Sequence, residues 1–183
     1  MQRHERFHRR AFDHLLVGGP AELHGRVERE LHPELRRLLA GCFEVDVERA
    51  GAEEVHERAT APIEAQERRH EHELLGRLEE GLAPGGHGAV GLEEVLALLS
   101  DRRVQTLLVA SGFTAHGFAC PRCGRLSTDD SACPLDGAKP EPREDIAESA
   151  IELALDQSAE VVVVRHEIER LTAHSPIAAL VRY

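Results

Sequence analysis

The sequence predicts an α/β protein in two parts, and three observations carry that prediction. Short apolar runs with strand character alternate with longer amphipathic stretches, the arrangement that lays helices against a sheet. The first two strand-like runs are separated by a helix-length crossover, which a parallel pair requires and an antiparallel pair does not. A glycine- and proline-rich stretch, Ala83 to Gly91 (APGGHGAVG), then separates one such series from the next.

Phe12 to Val17 (FDHLLV) reads as a strand running into a turn at Gly18-Gly19-Pro20. Pro20 suits the first position of a helix, where its missing amide hydrogen costs nothing. Leu23, Val27, Leu31, Leu35, Leu38 and Leu39 recur at three- and four-residue steps, predicting one apolar helix face closed by Gly41. Phe43, Val45 and Val47 alternate with acidic residues as in a half-buried strand. A charged helix follows over roughly 52–81, with Pro62 expected to kink or interrupt it.

After the glycine-rich stretch, Leu92 to Leu99 predicts a helix and Val104 to Ala110 a strand. Ile146 to Leu155 predicts a helix starting near Pro142. Val161 to Val164, four valines in a row, predicts a strand buried on both faces, and Ile177 to Val181 a last short apolar segment. The expected division is 1–84 and 85–183, the second part being a small α/β sandwich with a Cys-rich insertion at 120–137.

Composition narrows the function. At 183 residues, 42% hydrophobic and 30% charged, the chain has the usage of a folded globular protein rather than a disordered one. Aromatic residues are only 3%, which argues against a base-stacking platform for single-stranded nucleic acid. A net charge of −11, with both halves acidic, disfavours wrapping of nucleic acid by concentrated positive charge. No apolar run approaches the ~18 residues of a membrane span, and MQRHERFHRR has no signal core behind it. A cytoplasmic protein without membrane contact is the expectation.

Three of the four cysteines cluster. Cys120-Pro121-Arg122-Cys123-Gly124 sets two thiols on one tight turn, and Cys133-Pro134-Leu135-Asp136-Gly137 repeats the knuckle with Asp in the fourth place. Paired knuckles bring four ligands around one tetrahedral ion, as zinc ribbons do. The candidate ligands are Cys120, Cys123, Cys133 and Asp136, with His116 competing for the fourth position. Either the site holds zinc, in a closed and therefore structural set, or it is a metal-free hairpin that has lost a ligand.

Other candidates have simpler explanations. His70 and His72 are two apart on a helix, cannot face one ligand, and read as solvent-facing polar residues. Gly18-Gly19-Pro20 lacks the phosphate-loop spacing and its lysine, Lys139 being the only lysine in the chain, so it reads as a turn. Glu53, Glu54 and Glu57 suit a helix start through the macrodipole. Cys42 reads as a small buried hydrophobe. No Ser/His/Asp or Cys/His spacing forms a nucleophile motif, so no catalytic residue is assigned.

The order FDHLLVGGP, a long amphipathic helix, a charged helix, VGLEEVLALL and RVQTLLVA resembles the middle-to-C-terminal part of the archaeo-eukaryotic class-one peptide-chain release factors and Pelota. CPRCG, CPLDG and the ending SPIAALVRY resemble bacterial members of that superfamily more closely. The resemblance covers essentially the whole chain. It implies that residues up to about Pro84 correspond to the latter part of a middle domain, with a ribonuclease-H-like fold lacking the nuclease carboxylates. The remainder corresponds to a C-terminal domain resembling ribosomal L7Ae and carrying a small insertion. Release factors proper carry a Gly-Gly-Gln tripeptide that promotes peptidyl-tRNA hydrolysis, and this sequence has none.

The resemblance implies a fragment of a longer factor, with no enzymatic role of its own in this chain. It would dock on the ribosome or a translation GTPase through protein contacts, in termination or ribosome rescue. A partial parallel sheet would leave an open edge and an apolar helix face, so a homo-oligomer is a further expectation. Two alternatives stand beside this reading. One is an RNA-binding module centred on the Cys insertion, requiring Arg102, Arg103, Arg122 and Arg125 to converge. The other is a hydrolase of nuclease or esterase type.

Overall fold

The structure, a computed structural model, describes residues 14–182. They fall into two compact units, one ending at Arg69 and the other beginning at His70. In the first unit, β1 (Leu15–Gly19) pairs in parallel with β2 (Leu39–Glu44), as the crossover length predicts. Phe12 and Asp13, which the sequence reading placed in the first strand, lie outside the described residues. Gly18 and Gly19 are the last residues of β1 rather than a turn, and Pro20 stands just ahead of the first helical residue instead of on it.

The single helix expected between these strands is two, α1 (Ala21–Glu30) and α2 (Pro33–Arg37). Proline disfavours helical backbone in the residue before it, and His32 accordingly sits at φ −56°, ψ 142°. The Arg36 guanidinium then donates to the carbonyls of Glu28 at 3.0 Å and Arg29 at 2.7 Å, satisfying acceptors that the break leaves without helical donors. Leu39 therefore leaves the helix face and opens β2. The strand ends at Glu44, so Val45 and Val47 lie beyond it, Val45 buried and Val47 exposed. Cys42 is half-buried on β2, less enclosed than the sequence suggested.

Helix α3 (Ala52–Gly81) runs through Pro62 without the interruption expected there. Its last turns belong to the second unit, where Leu74, Leu75 and Leu78 are fully buried. The boundary between compact units thus falls inside α3, ahead of the glycine-rich stretch. That stretch is itself structural. Gly88 opens β3 (Gly88–Val90), and a Cβ there would stand 2.8 Å from the Leu78 carbonyl oxygen, so only glycine lets the chain pass this close to the end of α3. Gly91, at φ +98°, turns the chain into α4 (Leu92–Ser100).

The second unit is built on one mixed sheet. Its further strands are β4 (Val104–Ala110), β8 (Glu160–Val164) and β9 (Ile177–Val181), in the order β3-β9-β4-β8. β9 runs antiparallel to β3 and to β4, while β4 and β8 are parallel, with Leu107 opposite Val161 and Val109 opposite Val163. The alternation of side chains along a strand splits β4 and β9 between two cores. Leu107, Val109, Ile177 and Ala179 pack with α4 and with α5 (Ile146–Asp156). Leu108, Ala110, Ala178 and Leu180 pack with the end of α3 and with α6 (Ile168–Thr172).

The valine run and the start of α5 depart from expectation. Val161–Val164 belongs to an edge strand with Val163 exposed, and it is β9 that is buried throughout, because β9 lies between β3 and β4. Helix α5 begins after Asp145, whose carboxylate accepts the Ala147 amide at 2.9 Å as an N-cap, and Pro142 lies in a strand.

Candidate metal centre

Between β4 and α5 the chain makes a small antiparallel sheet of β5 (Gly117–Ala119), β6 (Leu126–Ser127) and β7 (Glu141–Arg143), with β5 in the middle. The Cys-rich loops extend from these strands. Each is a tight knuckle: Gly124 N–H donates to the Cys120 carbonyl at 3.0 Å, and Gly137 N–H to the Cys133 carbonyl at 2.8 Å. Gly124 and Gly137 both have positive φ, 74° and 68°, which explains the glycine that closes each motif.

The knuckles bring Cys120, Cys123, Cys133 and Asp136 together, with one ligand atom from each all within 4.8 Å of one another. Cys120 and Cys133 are buried, Cys123 is exposed, and the Cys123 and Cys133 sulfurs are 3.5 Å apart. Asp136 Oδ1 accepts the Ala138 amide at 2.9 Å, which fixes the carboxylate, while Oδ2 lies 3.4 Å from the Cys120 sulfur. His116 is not part of this group.

The electrostatics of the cluster suit a cation. The backbone amide of Cys123 points at the Cys120 sulfur and, with help from the Arg122 amide, lowers that thiol against the opposing effect of burial. The Arg125 amide pulls the Cys123 thiol down, but desolvation and the neighbouring Cys120 and Cys133 outweigh it and push Cys123 up to about 11. The Ala138 amide holds Asp136 below the usual carboxylate range. Crowded sulfurs cannot all ionise beside one another and a carboxylate unless a positive ion sits among them. The donor set, three thiols and one anchored oxygen, fits a four-coordinate divalent metal, and zinc accepts both donor types. A cleft of about 330 Å³ lies beside the centre, lined in part by Glu93 and Ala97 of α4 and by Cys120, Arg125 and Cys133.

The other candidates resolve separately. His70 Nε2 lies 2.9 Å from Glu160 Oε1, and His72 Nδ1 lies 2.9 Å from Glu167 Oε1, so the two histidines serve different carboxylates. Glu54 pairs with Arg58 one turn on, at 3.0 Å. Arg125 reaches Asp101 at 3.8 Å, which offsets part of its charge.

Glu71 was not singled out by the sequence. It is buried, and its carboxylate accepts the backbone amides of Arg165, His166 and Glu167 at 2.9, 2.8 and 3.0 Å. The only sequence signal is an acidic residue on the apolar side of α3, next to the stripe of Leu74, Leu75 and Leu78.

No protein-family model matches the chain. The proteins to which the chain is similar are translation termination factors and their relatives. The chain is 28% identical over 188 residues to peptide chain release factor subunit 1 of Archaeoglobus fulgidus, across 92% of this chain and 46% of that protein. It therefore spans about half the length of this curated relative, to which it is homologous. Among solved structures, the C-terminal domain of the peptide chain release factor from Methanosarcina mazei matches with a TM-score of 0.52 and 25% identity, over 76% of this chain and 96% of that one. Archaeal Pelota, in a structure of ribosome-bound archaeal Pelota and ABCE1, shares the fold with a TM-score of 0.57 at 21% identity, over 100% of this chain and 46% of that one.

Proposed function

We propose that this chain is a release-factor-like docking protein, acting in translation termination or ribosome rescue. It contacts the ribosome or a translation GTPase through protein surfaces and performs no catalytic step of its own. The observation that carries this reading is the match to nearly the whole C-terminal domain of an archaeal release factor, at 25% identity. Residues 1–84 are assigned to the latter part of a ribonuclease-H-like middle domain and 85–183 to an L7Ae-like domain. The order of CPRCG, CPLDG and SPIAALVRY supports placement in a bacterial, cytoplasmic branch.

The insertion is a zinc-ribbon-like element with zinc held by Cys120, Cys123, Cys133 and Asp136. With four protein ligands the ion has no open position, so it ties the two knuckles together and activates no water. The acidic surface favours protein partners over bare RNA.

The docking role is tested by reversing exposed acids of the second unit, Glu93 and Glu94 on α4 with Glu148 and Glu152 on α5, to lysine. Pelleting with ribosomes, or capture by a translation GTPase, should weaken while the circular dichroism spectrum stays unchanged. Binding equal to that of the parent chain would overturn the proposal.

A further inference from the structure

The three sulfurs of the metal centre are not equivalent. Cys120 is buried and lies against Asp136, with its sulfur 3.4 Å from Oδ2. Cys123 is exposed, and its sulfur is 3.5 Å from that of Cys133, which lines the adjoining cleft. The ligand that solvent reaches is thus in contact with a second thiol. We propose that Cys123 and Cys133 are a peroxide-sensitive modification site whose oxidation to a disulfide expels the metal. This rests on the metal reading above.

The chemistry closes with hydrogen peroxide as the two-electron oxidant. The Cys123 thiolate attacks one peroxide oxygen, the O–O bond breaks, and hydroxide leaves, giving a sulfenic acid on Cys123. The Cys133 thiolate attacks that sulfur and displaces a second hydroxide, forming the disulfide. Two thiolates are oxidised, one peroxide is reduced to two hydroxides, and solvent protonates these to water. The two steps together remove two of the four ligands. Cys120 and Asp136 remain, one soft and one hard donor, too few to hold zinc in a closed tetrahedral site.

The test uses the full zinc-loaded chain carrying Cys42→Ser, which removes the one thiol outside the cluster, with the unsubstituted chain in parallel. Treatment with hydrogen peroxide should release zinc stoichiometrically to a chromophoric chelator as two thiols disappear. Proteolysis and mass spectrometry should then find a peptide linking Cys123 to Cys133, and dithiothreitol with added zinc should restore the starting state. A Cys120–Cys123 link, sulfinic acids without a link, or zinc retained after the thiols are lost would each overturn the proposal. Cobalt titration separates this from the metal reading, since a chain with no cobalt–thiolate absorption has no such centre. A disulfide forming in that metal-free chain would overturn the release step, and the absence of one would overturn the pairing as well.

Discussion

Arg170 on α6 grips Glu79 on α3 through two parallel hydrogen bonds, Nε to Oε1 and Nη2 to Oε2, both at 2.7 Å. Its remaining terminal nitrogen, Nη1, donates to Glu167 Oε2 at 2.8 Å, so one guanidinium joins the last turns of α3 to the start of α6. Such planar, bidentate pairing is more directional than a lone ion pair.

That arrangement predicts the acid response of the second unit. The Arg170 hydrogen bonds hold both Glu79 and Glu167 below the usual carboxylate range. Because these groups have lower values folded than unfolded, the unfolded chain binds more protons, and stability present above the unfolded carboxylate value of ~4.3 is lost as pH falls below it. Glu79 is more than a third exposed, so solvent screens the pair and the loss is about 1 kcal/mol. Urea midpoints between about pH 6 and pH 3 should fall less steeply in Arg170→Gln than in the parent; identical slopes would remove this explanation.

Glu71→Ala should destabilise the second unit by about 3 kcal/mol, because three backbone amides lose a charged acceptor where water has little access. Glu71→Gln should cost less, since it keeps one acceptor oxygen. Hydrogen exchange of the amides of Arg165, His166 and Glu167 should accelerate in both variants. Protection unchanged from the parent would show that Glu71 does not hold this turn.

Helices α4 and α5 both end on a non-glycine residue in the left-handed region, Arg102 at φ 58° and Ser158 at φ 56°. The amide after each returns to its helix, Arg103 to the Leu98 carbonyl at 2.9 Å and Ala159 to that of Ala154 at 2.9 Å. Glycine is at ease in this conformation. Arg102→Gly and Ser158→Gly should therefore each raise stability in denaturant by up to ~1 kcal/mol. A decrease at both positions would mean that these side chains make contributions larger than the backbone strain.

At the candidate metal centre, Asp136→Ala should weaken the proposed zinc binding by at least ~10-fold, the loss that even hydrogen-bond partners outside a ligand set commonly carry. His116→Ala should leave it unchanged. Competition against a calibrated chelator reads both, and the reverse ranking would move the fourth ligand to His116. Stripping the metal should raise exchange in residues 117–143 while β4 and β9 stay protected.

Local chemistry made much of this protein legible. Val104–Ala110 is a strand as predicted, because an uninterrupted β-favouring run between turns has few alternatives. Cys120, Cys123, Cys133 and Asp136 could be read together because each knuckle is set by its own short motif. Local patterns mislead where a nearby proline or a distant strand overrides them. Leucine spacing suggested a single helix across Pro33, although proline ends α1 and moves Leu39 into β2. Four consecutive valines suggested a buried strand, yet their neighbours in the sheet leave them at its edge.

The amino-acid sequence by itself determined the periodic elements, the parallel return of β2 and the two cysteine knuckles, all of which depend on residues close together in the chain. Tertiary structure alone decided the β3-β9-β4-β8 order, the glycine-rich stretch as a strand pressed on α3, and Glu71 as the acceptor for a turn far along the chain. Those features rest on pairings between distant segments, where closing the loop costs entropy that only the whole packed core offsets.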